Sequence, residues 1–235
     1  MANPAAAVKT GTIPFVYQGE TFHTFYAVYG DLANRTKDPL IVLHGGPGFI
    51  YNSLVPFSDL AVDAATPVIL YDQLGNGQST HLRDKPAEFW TIDLFLDELA
   101  NLIAFFGIEG AFDLAGHSWG GILASEFEVR RQPAGLKHIV LVSSLASFAL
   151  WEASNVQLMQ AFPADVQAAL RAGPGSKAYV PALLQLHKKH ACTLPEFPKE
   201  FMQTIDAVFG KDGDMTVASN LPRYVCAFRC ARPAD

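Results

Sequence analysis

Short runs of β-branched and aromatic residues alternate with longer amphipathic stretches over the first 150 residues, the pattern of a largely parallel α/β sheet. Thr12 to Tyr17 and Thr21 to Tyr29 flank Gln18-Gly19-Glu20 and predict an antiparallel hairpin, with Gly19 supplying the positive φ of the turn. Leu40 to Leu43, Pro67 to Tyr71 and His138 to Val142 are short apolar runs bounded by turn residues. Such runs predict strands buried on both faces. Between them, Ile92, Phe95, Leu96, Leu99, Leu102, Ile103 and Phe106 recur at three-and-four spacing, which predicts a helix capped by Thr91 and ended by Gly107. A further helix is expected from Trp119 to before Pro133.

From about Ala149 the rhythm changes. Trp151 to Arg171 and Ala178 to Lys189 have helical spacing, punctuated by Pro163, Gly173-Pro174-Gly175, Pro181, Pro195 and Pro198. The expected organisation is an α/β core over 10–148, a helical cap inserted at 149–215, and a tail at 216–235 without clear periodicity. No internal repeat is visible.

Composition narrows the class. Of 235 residues, 50% are hydrophobic and 17% charged, with a net charge of −6. A chain this apolar buries enough surface to offset its ordering entropy, which excludes a disordered or low-complexity protein. The acidic balance leaves no electrostatic footprint for nucleic acid or for an anionic membrane, so the expected partner is a small molecule or peptide. Ile139 to Trp151, the longest nearly unbroken apolar stretch, is interrupted by Ser143, Ser144 and Ser147 and falls short of the roughly 20 residues a bilayer requires. The opening MANPAAAVKT has no apolar signal region. Three cysteines, Cys192, Cys226 and Cys230, are an odd number and fit reduced thiols in the cytoplasm.

The chemistry concentrates in two glycine-rich motifs. Gly116-His117-Ser118-Trp119-Gly120 matches G-x-S-x-G, directly after the run Phe112-Asp113-Leu114-Ala115 and directly before an expected helix. That context predicts a nucleophile elbow, with Ser118 on a turn so sharp that its flanking positions must lack a Cβ. The following helix would point its positive end toward charge developing on an acyl group. His44-Gly45-Gly46-Pro47-Gly48 ends the run Leu40 to Leu43, the place where an α/β-hydrolase keeps its oxyanion loop. The main-chain N–H groups of Gly46 and Trp119 are then the expected donors. His44 is expected to hold the loop by hydrogen bonding, with Gly45, Pro47 and Gly48 shaping it. A third motif, Tyr71-Asp72-Gln73-Leu74-Gly75-Asn76-Gly77-Gln78-Ser79, lacks the third glycine and the Lys-Ser/Thr of phosphate-binding loops and reads as a rigid loop after a strand.

HGGPG, YDQLGNGQS and GHSWGG, in this order and spacing, resemble the proline iminopeptidase family of α/β-hydrolases over roughly residues 10 to 215, and the cap segment Lys177 to Pro198 resembles that of fungal members. The resemblance implies a serine peptidase that needs no cofactor or metal, releases an N-terminal residue, preferably proline, from a peptide or amino-acid amide, and works through an acyl-enzyme on Ser118. It also implies a triad Asp and His on loops after a seventh and an eighth strand, whereas six candidate strands are readable, the last ending near Ser143. The family's cap motif G-P-S-E-F has no counterpart in Thr216-Val217-Ala218-Ser219-Asn220-Leu221-Pro222. A truncated or alternatively spliced end is therefore expected, along with an unprotected apolar edge at the sixth strand.

Alternatives remain within the same residues. Asp165 with His187 or His190 has the triad order but falls in the helical cap, and His117 is expected to leave the turn away from Ser118. His187, His190, Cys192, Cys226 and Cys230 are metal-ligand types whose spacing matches no recurrent zinc site. A catalytically inactive binding isoform and a general esterase or amidase are the competing functions.

Overall fold

Gln18 and Gly19 both adopt positive φ, 49° and 82°. This two-residue turn joins β1 (Val8–Tyr17) to β2 (Glu20–Tyr29) in an antiparallel hairpin that pairs Tyr17 with Glu20. The hairpin is longer than the sequence pattern indicated because its first residues, Val8 to Gly11, are exposed or half-exposed and carry no core signal. The computed structural model describes residues 8–221, and the next elements in the chain are β3 (Leu40–Leu43), a 3₁₀ turn at Tyr51–Ser58, α1 (Asp59–Asp63) and β4 (Val68–Tyr71). Then come α2 (Ile92–Phe106), β5 (Phe112–His117), α3 (Trp119–Arg131) and β6 (Leu136–Val142).

The six strands form one sheet in the order β1-β2-β4-β3-β5-β6. β4, β3, β5 and β6 run parallel, and β2 joins them antiparallel along β4. Every residue of β3 and β4 is buried, since both faces are covered. Ile41, Leu43, Ile69 and Tyr71 pack with Phe95 and Leu99 of α2 and with Trp119 and Leu123 of α3. On the opposite face, Leu40, Val42, Val68 and Leu70 pack with Leu54 of the 3₁₀ turn. Thr91 caps α2 by accepting a hydrogen bond from Leu94 N–H at 3.1 Å, and Gly107 ends it in the left-handed conformation.

The sixth strand corrects an expectation. β6 carries the apolar residues of a doubly covered strand, yet Val140 is 49% and Leu141 55% exposed. β6 is an edge strand with sheet on one side only, the unprotected apolar edge that the count of strands implied: α3 contacts it and Leu136 and Ile139 pack half-buried against the main core, while Val140 and Leu141 stay exposed. The opposite edge, β1, carries Pro14 and Lys9, residue types that discourage further pairing.

After β6 the chain is helical: α4 (Phe148–Gln160), α5 (Ala164–Ala172), α6 (Tyr179–His190), α7 (Lys199–Phe209) and α8 (Thr216–Asn220). The helical stretch expected from Trp151 to Arg171 divides into α4 and α5 at Pro163, one of the prolines expected to punctuate it. Pro181 is accommodated in the first turn of α6, where its missing N–H has no intrahelical acceptor to lose. Val166, Leu170, Tyr179 and Leu183 bind α5 to α6 in a small core of their own. α7 rests on the 3₁₀ turn, with Asn52 Nδ2 donating to Gln203 Oε1 at 3.1 Å. Val217 and Leu221 reach the main core, so the beginning of the segment expected to be an aperiodic tail is packed structure. Pro222 onward, including Cys226 and Cys230, lies outside the described residues.

Candidate active site

The chain reverses sharply between β5 and α3, and Ser118 forms the corner with φ 53° and ψ −117°. A side-chain-bearing residue in this region is strained, and it persists because its surroundings over-determine it. Ser118 N–H donates to Val142 O at 3.0 Å, while Ser118 O accepts from Gly121 N–H at 3.0 Å and from Ser144 Oγ at 2.9 Å. β6 therefore anchors the corner. Trp119 begins α3, where main-chain donors have no intrahelical acceptor. Among the described residues, no histidine or carboxylate is hydrogen-bonded to Ser118 Oγ.

The segment His44 to Gly48 leaves β3 alongside the corner, because β3 is the parallel neighbour of β5 and pairs Leu43 with Gly116. A Cβ on Gly45 would come within 2.8 Å of His117 Nδ1 and 3.2 Å of Ser118 Cβ, which measures how close the two motifs lie. Gly46 sits at φ +117°, and the Gly46-Pro47 peptide is cis.

His44 is fully buried. Its Nε2 accepts from Gln73 N–H at 3.0 Å, so the ring proton resides on Nδ1 and is donated to Gly45 O at 3.0 Å. Burial lowers its pKa to about 4 and keeps the imidazole neutral. Gln73 carries the connection onward: its Nε2 donates to His44 O at 3.1 Å and its Oε1 accepts from Trp119 Nε1 at 2.8 Å. His117 is half-buried, has no hydrogen-bond partner for Nδ1, and has its pKa lowered by burial.

The loop after β4 is built around two buried carboxyl groups that motif reading passed over. Asp72 accepts from Tyr51 N–H and Gln78 N–H, each at 2.9 Å, and Ser79 Oγ returns a bond to Asp72 O at 2.5 Å. Burial raises the Asp72 pKa to about 6, with those two N–H bonds opposing the shift. Glu98 of α2 accepts from Leu74 N–H at 2.9 Å and from Thr24 Oγ1 at 2.5 Å, and burial pushes its pKa to about 7. Its position was a readable signal: Glu98 stands four residues from both Leu94 and Leu102 on the apolar face of α2.

A cavity of about 330 Å³ opens beside Gly46 and Pro47, with Phe49, Tyr179, Val208 and Phe209 among its largely apolar walls. Met215, Ala218 and Ser219 close another side. This side is held by Asp214, which accepts from His81 Nδ1 at 2.6 Å, Arg83 Nε at 3.2 Å and Thr216 N–H at 2.9 Å. Burial raises the Asp214 pKa, but the hydrogen bonds from Thr216, His81 and Arg83 outweigh it and hold the carboxyl down to about 2.

The other candidates lie elsewhere. Asp165 is in the first turn of α5, His187 is stacked edge-on against Phe201 with its pKa lowered to about 4 by burial, and His190 stacks against Phe162. Among the described residues no three His, Cys, Asp or Glu side chains are grouped to hold a metal ion, and no helix is long and apolar enough to cross a membrane.

Residues 38–178 match the family model of the alpha/beta hydrolase fold, the class to which this chain belongs. Its relatives narrow the family. The proline iminopeptidase of Levilactobacillus brevis is 36% identical over 149 residues, 63% of this chain and 48% of that protein. That of Heyndrickxia coagulans is 32% identical over 208 residues, 82% of this chain and 69% of that protein. Among solved structures, VinJ aligns with a TM-score of 0.80 at 38% identity, covering 89% of this chain and 69% of VinJ. The Mycobacterium smegmatis proline iminopeptidase aligns at 0.72 and 34%, covering 88% and 69%. The chain is a member of the proline iminopeptidase family, and it spans about half the length of curated relatives such as the L. brevis protein.

Proposed function

We propose that this chain carries the acyl-transfer half of a proline iminopeptidase-type serine hydrolase, releasing an N-terminal residue, proline by preference, from small peptides or amino-acid amides. Ser118 is the nucleophile, and the Gly46 and Trp119 N–H groups receive the carbonyl oxygen as it becomes an oxyanion. Each such donor contributes about 3 kcal/mol to the transition state. The observation that carries the reading is the strained conformation of Ser118 against the Gly45-Gly46 segment. Helices of the 149–215 segment act as the cap, and the apolar cavity beside Gly46 takes the side chain of the first residue. Neither a cofactor nor a metal enters this chemistry, and we place the protein in the cytoplasm. Hydrolysis of a proline arylamide by the chain, abolished in Ser118→Ala, tests the proposal; equal rates would reject it.

A second reading is binding without turnover. It is favoured by the lack of a hydrogen bond from Ser118 Oγ to any described histidine. A fluorophosphonate probe separates the two, because only an activated serine is labelled.

A further inference from the structure

The two main-chain donors of the proposed oxyanion site come from separate segments, one following β3 and one following β5. Ladder hydrogen bonds set the spacing of these strands as far as the Leu43 and Gly116 pair. Beyond it both segments leave the sheet, and the ladder no longer determines how far Gly46 stands from Trp119.

We propose that Gln73 is the positioning residue that sets this separation, an inference that rests on the acyl-transfer reading above. Gln73 follows β4, which lies on the other side of β3 from β5, and its side chain reaches across to α3. It is fully buried and makes three bonds to the two segments: main-chain N–H to His44 Nε2, side-chain Nε2 to His44 O, and side-chain Oε1 from Trp119 Nε1. The amide orientation is determined by the partners, since a carbonyl oxygen only accepts and an indole N–H only donates. The side-chain bonds need a planar donor and acceptor at this reach. Asparagine is one methylene short, an ionised glutamate has no donor for His44 O, and methionine fills the space without either bond.

Misplacing a reacting group by about 1 Å costs on the order of 10²-fold in rate. The tests are Gln73→Met and the near-isosteric Gln73→Glu, which covers the case in which the methionine variant does not fold. Gln78→Met on the exposed part of the same loop is the control. In amide correlation spectra of the full chain, the Gly46 and Trp119 resonances and the Trp119 indole resonance are expected to move together in the Gln73 variants and to stay in place in Gln78→Met. With proline arylamide, kcat should fall by about 10- to 100-fold while KM changes by less than about threefold, the split expected when only transition-state stabilisation is lost. Unmoved Gly46 and Trp119 resonances overturn the proposal, as does wild-type kcat in a variant whose resonances have moved. If the wild-type chain neither hydrolyses the arylamide nor reacts with fluorophosphonate, the acyl-transfer reading falls, and the resonances still decide whether Gln73 spaces the two donors.

Discussion

Gly120, in the first turn of α3, lies so close to the end of β3 that a Cβ on it would run into the carbonyl oxygen of Leu43. The contact is main chain against side chain, with no flexible partner to give way. Gly120→Ala is therefore expected to lower stability by about 1–3 kcal/mol through overpacking. Urea titration would show a reduced midpoint with an unchanged slope. Gly110→Ala is the control, because a Cβ there meets nothing within 4 Å.

Gly46 faces two obstacles to substitution. Its φ of +117° disfavours any L side chain, and an added Cβ would lie 2.6 Å from Gly48 N. If Gly46 is a donor of the proposed oxyanion site, Gly46→Ala re-aims the N–H of residue 46 and slows fluorophosphonate labelling of Ser118 by about 10²-fold. Labelling kinetics at fixed probe concentration provide the measurement.

Glu98 makes stability depend on pH in a direction opposite to that of a surface carboxylate. Burial raises its pKa from 4.5 to about 7, so its favourable contribution is complete below pH 4.5 and is lost as pH rises through 7. Glu98→Gln removes this titration while keeping an acceptor for Thr24 and Leu74. Relative to wild type, the variant should gain up to about 3 kcal/mol between pH 4.5 and pH 8. Chemical denaturation at the two pH values checks the sign and the size.

Asp214 behaves the other way. Its carboxyl is held down to about 2, so the stability it supplies is present above its unfolded value of 3.8 and is lost as pH falls through 2. Asp214→Asn should cost about 1–2 kcal/mol at neutral pH, less than the full linkage value of its shift because the exposed His81 and Arg83 side chains are screened by solvent. Hydrogen exchange should accelerate at Val217 and Leu221, which the ion-paired turn holds against the core.

Much of the fold was legible because local and global preferences agree. The hairpin, β3, β4, α2 with both of its caps, and α3 appeared close to where the spacing put them. In α7, Phe201, Ile205 and Val208 repeat at helical spacing, but Pro195 and Pro198 just before it interrupt the apolar pattern and hide the helix in the sequence. The composition of β6 is that of a strand covered on both faces, whereas covering depends on neighbours that are not encoded in the strand itself; its exposed edge was legible only from the count of strands. Of the site, Ser118, Gly45 and Gly46 were visible as motif positions. Asp72 and Gln73 were seen only as members of a rigid loop, and the pairing of His81 with Asp214 joins residues 133 positions apart, beyond the reach of any local pattern.

The sequence by itself determined the hairpin, β3, β4, α2, α3 and the glycine positions around Ser118, because these follow from side-chain period and from the space a missing Cβ leaves. Only the tertiary structure decided that Gln73 bridges His44 to Trp119, that Glu98 and Asp72 are buried acids, and that an apolar cavity forms between Gly46 and the helices after β6. Those properties arise from burial and from hydrogen-bond geometry between distant segments, which exist only once the sheet has brought the segments together.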